Sequence, residues 1–243
     1  MDELRNLVQD YLKLRRSLGY KLQDSEYFLT QFCRYLDETG PTSVTTENIV
    51  AWAVSPGGTA DWHSKRIAPI RLFAQWAHTF DPSIEVPARE ILPGHPHRAV
   101  PFIYSADQVN ALMEQAGALP NPMIAASYRT LIGLLACTGM RVGEALSLNR
   151  TDLNDGVLHV VNGKNGGSRL LPLHSSAVDA LVEYSHTRDE VLGQLTTDAL
   201  FASTRGTRLI YNCFHFTFHQ LVAQAGILPR SSECRPRVHD LRH

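Results

Sequence analysis

Three short stretches of this sequence carry side chains suited to handling a phosphate. In ACTGMRVGEALSL (136–148) an apolar run meets Thr-Gly, and Arg141 follows at the mouth of the turn that Gly139 permits. Glu144, three residues on, can hold one edge of the Arg141 guanidinium while the free edge meets a phosphate oxygen. A surface arginine–glutamate pair has the same spacing, and this stretch alone leaves both readings open. In NGKNGGS (162–168) Lys164 sits at the tip of a glycine-rich turn. There it can protonate a leaving oxygen if neighbouring arginines depress its pKa, although most turn lysines are simply solvated. Of 23 basic side chains, 19 are arginine, and only Lys13, Lys21, Lys65 and Lys164 are lysine. After residue 101 Lys164 stands alone among eleven arginines. Such enrichment is commonly a genomic bias. Even so, a position that keeps lysine suits a group that must lose its proton, which arginine cannot do.

The third stretch is RVHDLRH (237–243). His239 and Arg242 stand three apart, on one face of a helical turn, and offer an imidazole and a second guanidinium to the same phosphate. His239 and His243 also have the i, i+4 spacing of a helical metal pair. No third ligand and no HExxH pattern accompanies them, so the phosphate reading is preferred and no metal is expected. His215 and His219 repeat that spacing in NCFHFTFHQ, where aromatic neighbours favour a packed helix face; no role is assigned to them.

These residues need elements to position them. Over residues 1–80 the apolar spacing predicts four helices with short connections, a compact bundle. The first carries Leu4, Leu7, Val8, Tyr11 and Leu12 and is capped near Gly19; the second carries Phe28, Leu29, Phe32 and Leu36 and ends at Gly40-Pro41. A third runs from the Thr45/Thr46 cap through Ala53, and a fourth carries Ile67 to Ala77, with Pro69 starting or kinking it. Residues 81–104 read as a linker, with five prolines in 81–101; its His95, His97 and Arg98 could touch a polyanion, although solvated linker side chains are the favoured account. The second domain, 105–243, opens on a Ser105/Gln108 capping box and continues into a buried helix over about 123–137. VLHVV (157–161) and RLLPL (169–173) read as the strands of a β-hairpin. Helices follow near 175–192 and 211–225, with a strand-like ALF (199–201) between them.

Composition narrows the classes. The 243 residues are 44% hydrophobic and 19% charged, an ordinary globular balance that argues against disorder. The longest apolar run, LIGLLACTGM (131–140), is too short to span a bilayer, and the amphipathic N-terminus is not a signal peptide; a cytoplasmic location is expected. Cys33, Cys137, Cys213 and Cys234 lack CxxC spacing and imply neither zinc nor a disulfide framework. A net charge of −1 argues against a protein that coats DNA without specificity.

Taken in order, Arg141 in TGMRVGEALSL, Lys164 in a hairpin turn, and His239 and Arg242 in HDLRH resemble the tyrosine recombinase (phage integrase) family. The resemblance covers nearly the whole chain. It implies a mainly α fold, with a SAM-like core-binding domain over 1–80 and a mostly helical catalytic domain with a small antiparallel sheet. It also implies DNA strand breakage and rejoining through a 3′-phosphotyrosyl link, without metal or nucleotide cofactor, on double-stranded DNA and together with other recombinase protomers. By the same resemblance Arg141 and Arg242 stabilise the phosphorane, His239 assists proton transfer, Lys164 protonates the leaving oxygen and Glu144 supports Arg141. The family carries a further histidine or tryptophan and then the nucleophilic tyrosine downstream of HDLRH. The sequence ends at His243, and its tyrosines (11, 20, 27, 35, 104, 128, 184 and 211) all lie upstream. The expectation is therefore a fragment that binds DNA but does not cleave it. The alternatives are a non-catalytic module that occupies recombination sites or interferes with complete enzymes, and an unrelated helical enzyme acting on small phosphorylated molecules.

Overall fold

The computed structural model describes residues 2–40, 43–94, 100–161, 167–193 and 196–242, in two compact units, 1–98 and 99–243. In the first unit, α1 (Asp2–Ser17), α2 (Gln23–Thr39), α3 (Thr46–Val54) and α4 (Ala60–Ala77) form the expected helices. Their ends follow local chemistry. Gly40 closes α2 in the left-handed region at φ 84°, and the Thr45 and Thr59 side chains accept from backbone N–H groups in the first turns of α3 and α4. Pro69 does not start α4; it lies inside it, where its missing N–H is tolerated because Ile67, Ile70, Phe73 and Ala74 anchor that helix in the core. Trp52 is the centre of this core, edge-on to Phe32 at 5.4 Å and covered by the Arg66 guanidinium at 4.2 Å. Residues 81–94 lie against this unit. Ile84 is buried in its core, Glu85 pairs with the backbone at Val44 and Thr46, and Arg71 donates to the carbonyls of Pro87 and Ala88. His95, His97 and Arg98 fall outside the described residues.

The second unit begins with α5 (Ala106–Gly117), whose Ser105–Gln108 capping box is reciprocal at 3.2 and 3.0 Å. α6 (Pro122–Thr138) follows with Asn121 as its cap, then α7 (Val142–Ser147), α8 (Ser175–Leu192) and α9 (Tyr211–Gln224). A five-residue 3-10 helix, Val238–Arg242, comes last. The sheet is antiparallel, in the order β1 (Leu153–Asn154), β2 (Val157–Val160), β3 (Arg169–Pro172). β2 pairs with β3 in a register that sets Val157 opposite Pro172 and Val160 opposite Arg169. Leu158 and Val160 point into the core while His159 points out, the alternation of a half-buried strand. The segment 199–201 does not join this sheet. Ala199 makes one isolated bridge, to Asn149, and Ala202 just beyond the segment makes another, to Arg208; the three side chains of 199–201 are all buried rather than alternating. Among the described residues no helix is long and apolar enough to cross a membrane.

Candidate phosphate-binding site

α6 is an apolar helix that stops where its sequence says it must. Gly139 takes φ 62°, its N–H bonds the Leu135 carbonyl at 3.0 Å, and the chain reverses into α7 with Arg141 at the junction. Glu144 then binds Arg141 twice: Oε2 accepts the Arg141 backbone N–H at 3.0 Å and Oε1 accepts Nη1 at 2.8 Å. The Arg141 side chain is 41% exposed, so its outer edge stays free for a ligand.

Glu144 has a second partner that the sequence reading missed. Arg169, the first residue of β3, donates Nη2 to Oε2 at 2.7 Å and Nη1 to Oε1 at 3.3 Å. The two guanidiniums and the Arg141 amide hold the 6%-exposed carboxyl down at about 2, the largest contribution coming from Arg169. Arg169 therefore ties the foot of the β2–β3 hairpin to the Arg141 junction. A basic residue directly after a glycine-rich turn was the available signal, but nothing in the sequence names its partner. Lys164, within that turn, lies outside the described residues.

The last 3-10 helix arrives at the same junction. A side chain at Gly139 would stand 3.5 Å from the Arg242 carbonyl oxygen, which sets the Arg242 backbone against the α6–α7 turn. Buried Asp240 forms a fork with Arg237 at 2.9 and 2.7 Å, and the Tyr104 hydroxyl donates to the Arg237 carbonyl at 3.2 Å. Arg230 donates to the Ile103 carbonyl at 2.8 Å, so residues 101–104 strap the approach to this helix. His239 and Arg242 are left exposed beside the buried Val238, Asp240 and Leu241. The His239 ring stacks on Tyr211 at 5.9 Å, and Tyr211 opens α9. Arg208, just before α9, caps the carbonyls of Leu146 and Leu148 at 2.9 Å and so fixes the far end of α7. Arg141, Glu144, the hairpin foot and the Arg242 backbone thus meet at one place, and His239 is set by α9. Cations held this way on short, braced elements can bind a tetrahedral or pentacoordinate phosphorus oxyanion with little reorganisation.

Comparison with known proteins agrees with this frame. Residues 103–243 match the model of the phage integrase family. The chain is 34% identical over its whole length to y4rB of Sinorhizobium fredii, a candidate integrase/recombinase of which it covers 80%. It is 29% identical over 96% of its length to the tyrosine recombinase XerD of Oceanobacillus iheyensis, again covering 80%. Among solved structures, a lambda integrase tetramer bound to a Holliday junction superposes with a TM-score of 0.64 over 98% of this chain and 68% of that one, at 23% identity. XerH recombinase on its difH substrate gives 0.62 at 18% identity; this chain spans 65% of that one. At such identities the structures speak for the fold alone, and the fold is the same. By sequence and by fold together, the chain belongs to the phage integrase family of tyrosine recombinases.

Proposed function

We propose that this chain binds duplex DNA and that Arg141, Lys164, His239 and Arg242 act on one phosphodiester of it, the chemistry of site-specific recombination. The observation that supports this most directly is the anchoring of Arg141 on a carboxylate shared with Arg169 at the foot of the Lys164 hairpin. In the reaction a tyrosine oxygen attacks phosphorus, forms a 3′-phosphotyrosine and releases a 5′-hydroxyl. Arg141 and Arg242 take the negative charge that builds on the non-bridging oxygens, His239 assists proton transfer beside them, and Lys164 gives the leaving oxygen its proton. Residues 1–80 serve as the core-binding domain and 105–243 as the catalytic domain. Other recombinase protomers are the protein partners, by analogy with the lambda integrase tetramer on its junction.

Five of the eight phenols do not suit the attacking role by their setting, and Tyr20, Tyr27 and Tyr35 lie within residues 1–80, the proposed core-binding domain. Tyr104, Tyr128 and Tyr184 are buried in the second core, where burial raises their pKa, and Tyr11 is likewise buried in the first. Tyr211 lies against His239 with its pKa also raised by burial. The polypeptide is therefore expected to hold DNA without joining to it covalently. The test uses a nicked duplex selected from a random pool for retardation by this protein at low salt. The expected result is a mobility shift with no covalent band on a denaturing gel. A covalent band lost in Tyr211→Phe would overturn the assignment of the phenols. Binding of a phosphosugar with no shift of any duplex would overturn the DNA reading itself.

A further inference from the structure

Away from the Arg141–Glu144 junction, two imidazoles meet nitrogen to nitrogen on α9. His215 and His219, one turn apart on the outer face of α9, bring their Nε2 atoms to 3.1 Å, with ring centroids 4.6 Å apart and planes crossing at 81°. They end a column of rings: His239 stacks on Tyr211 at 5.9 Å, Tyr211 faces His215 at 5.2 Å, and His215 faces His219. Contact between two ring nitrogens requires that one carry a proton and the other a lone pair. Moving that proton to the ring's own Nδ1 turns both Nε2 atoms into lone-pair donors at no cost in net charge.

We infer that His215 and His219 form a chelating pair for a divalent transition-metal ion of the zinc, nickel or copper class. The spacing is what the chemistry asks for. With metal–nitrogen bonds of about 2.0–2.1 Å, nitrogens 3.1 Å apart subtend about 95–102° at the ion. That angle lies between the roughly 90° of a cis pair in square-planar or octahedral coordination and the roughly 109° of a tetrahedron. Imidazole nitrogens select borderline ions over magnesium or calcium, which take oxygen. Among the described residues no third histidine, cysteine or carboxylate joins the pair, so water completes the coordination and the affinity is that of two ligands. The pair includes none of the proposed phosphate-site residues, although Tyr211 links its ring to that of His239.

The test is calorimetric titration of the 243-residue protein with Ni2+ and Zn2+ at neutral pH, with Mg2+ as the control ion. The expected result is one equivalent bound at micromolar Kd and no heat with Mg2+. His215→Gln and His219→Gln should each weaken binding by more than the roughly 10- to 100-fold that loss of a supporting partner costs. His159→Gln, at an exposed strand position, should leave it unchanged. The Cu2+ paramagnetic resonance spectrum of the unaltered protein should show coupling to two nitrogens, a readout that needs no variant. Binding that survives both substitutions, or that is abolished instead by His243→Gln, would overturn the site, as would a Cu2+ spectrum with coupling to a single nitrogen.

Discussion

Glu144 accepts hydrogen bonds from two guanidiniums and a backbone amide, and its carboxyl falls from 4.5 to about 2 as a result. A shift of that size is worth on the order of 3 kcal/mol. Because the folded value lies below the unfolded one, this stabilisation is complete above about pH 4.5 and drains away as pH falls toward 2. Urea denaturation from pH 3 to 7 should therefore show an acid loss that Glu144→Gln largely removes. The same variant should already be less stable at pH 7, since it removes the charge that both partly exposed guanidiniums share. Arg169→Ala keeps Arg141 on Glu144 but cuts the hairpin loose, and should raise the Glu144 pKa most, because Arg169 contributes most to its depression. Carboxyl-resolved NMR titration would measure that rise. On the proposed function, Arg141→Ala should lower strand cleavage by a recombinase carrying this site by roughly 10²- to 10³-fold while duplex retardation persists, because it removes charge stabilisation from the transition state more than affinity for the ground state.

At the level of elements, two structural features aim the cations. The first is the α6–α7 turn, where Gly139 holds φ 62° close to the Arg242 carbonyl. An added methyl has room at 3.5 Å, so the cost of Gly139→Ala is conformational, about 1–2 kcal/mol, and would be read as a lowered melting temperature. The second is the fork of Arg237 on buried Asp240, which fixes the 3-10 helix bearing His239 and Arg242. Asp240→Ala leaves a partly exposed arginine without its fork and should destabilise the protein by about 1 kcal/mol. It should also release the stacking of His239 on Tyr211, visible as a change in the His239 ring signals.

At the level of the whole molecule there are two hydrophobic cores, one built on Trp52, Phe32 and Phe73 and the other on Leu131, Phe201, Phe214 and Phe218. Each unit buries its own apolar side chains, so residues 1–98 alone should unfold cooperatively in urea. Non-cooperative melting of that piece would show that its core depends on the remainder. With a net charge of −1, the proposed binding of DNA would draw on the cations near the site, so affinity should fall steeply as salt rises, with a slope reporting the number of phosphates met. If the chain occupies DNA as proposed, it should inhibit a recombinase of the same site specificity in a recombination assay; an enzyme unaffected at equal concentration would count against that occupation.

The helices, their caps and the β2–β3 hairpin were legible because they rest on local rules: apolar spacing, Ser105 before Gln108, glycine at the ends of α2 and α6. β1 rests on the same kind of local rule, since the Asp155-Gly156 pair has positive φ values of 47° and 75° and makes a two-residue hairpin turn. The four candidate cations and Glu144 could be singled out by type and order. The sequence could not disclose that Glu144 divides itself between Arg141 and Arg169, that Arg237 and Asp240 brace the last 3-10 helix, or that His215 and His219 turn their nitrogens toward each other. Spacing along a chain determines which residues share a face. Which faces meet is decided by burial of the core, a sum over distant residues that no short window of sequence contains.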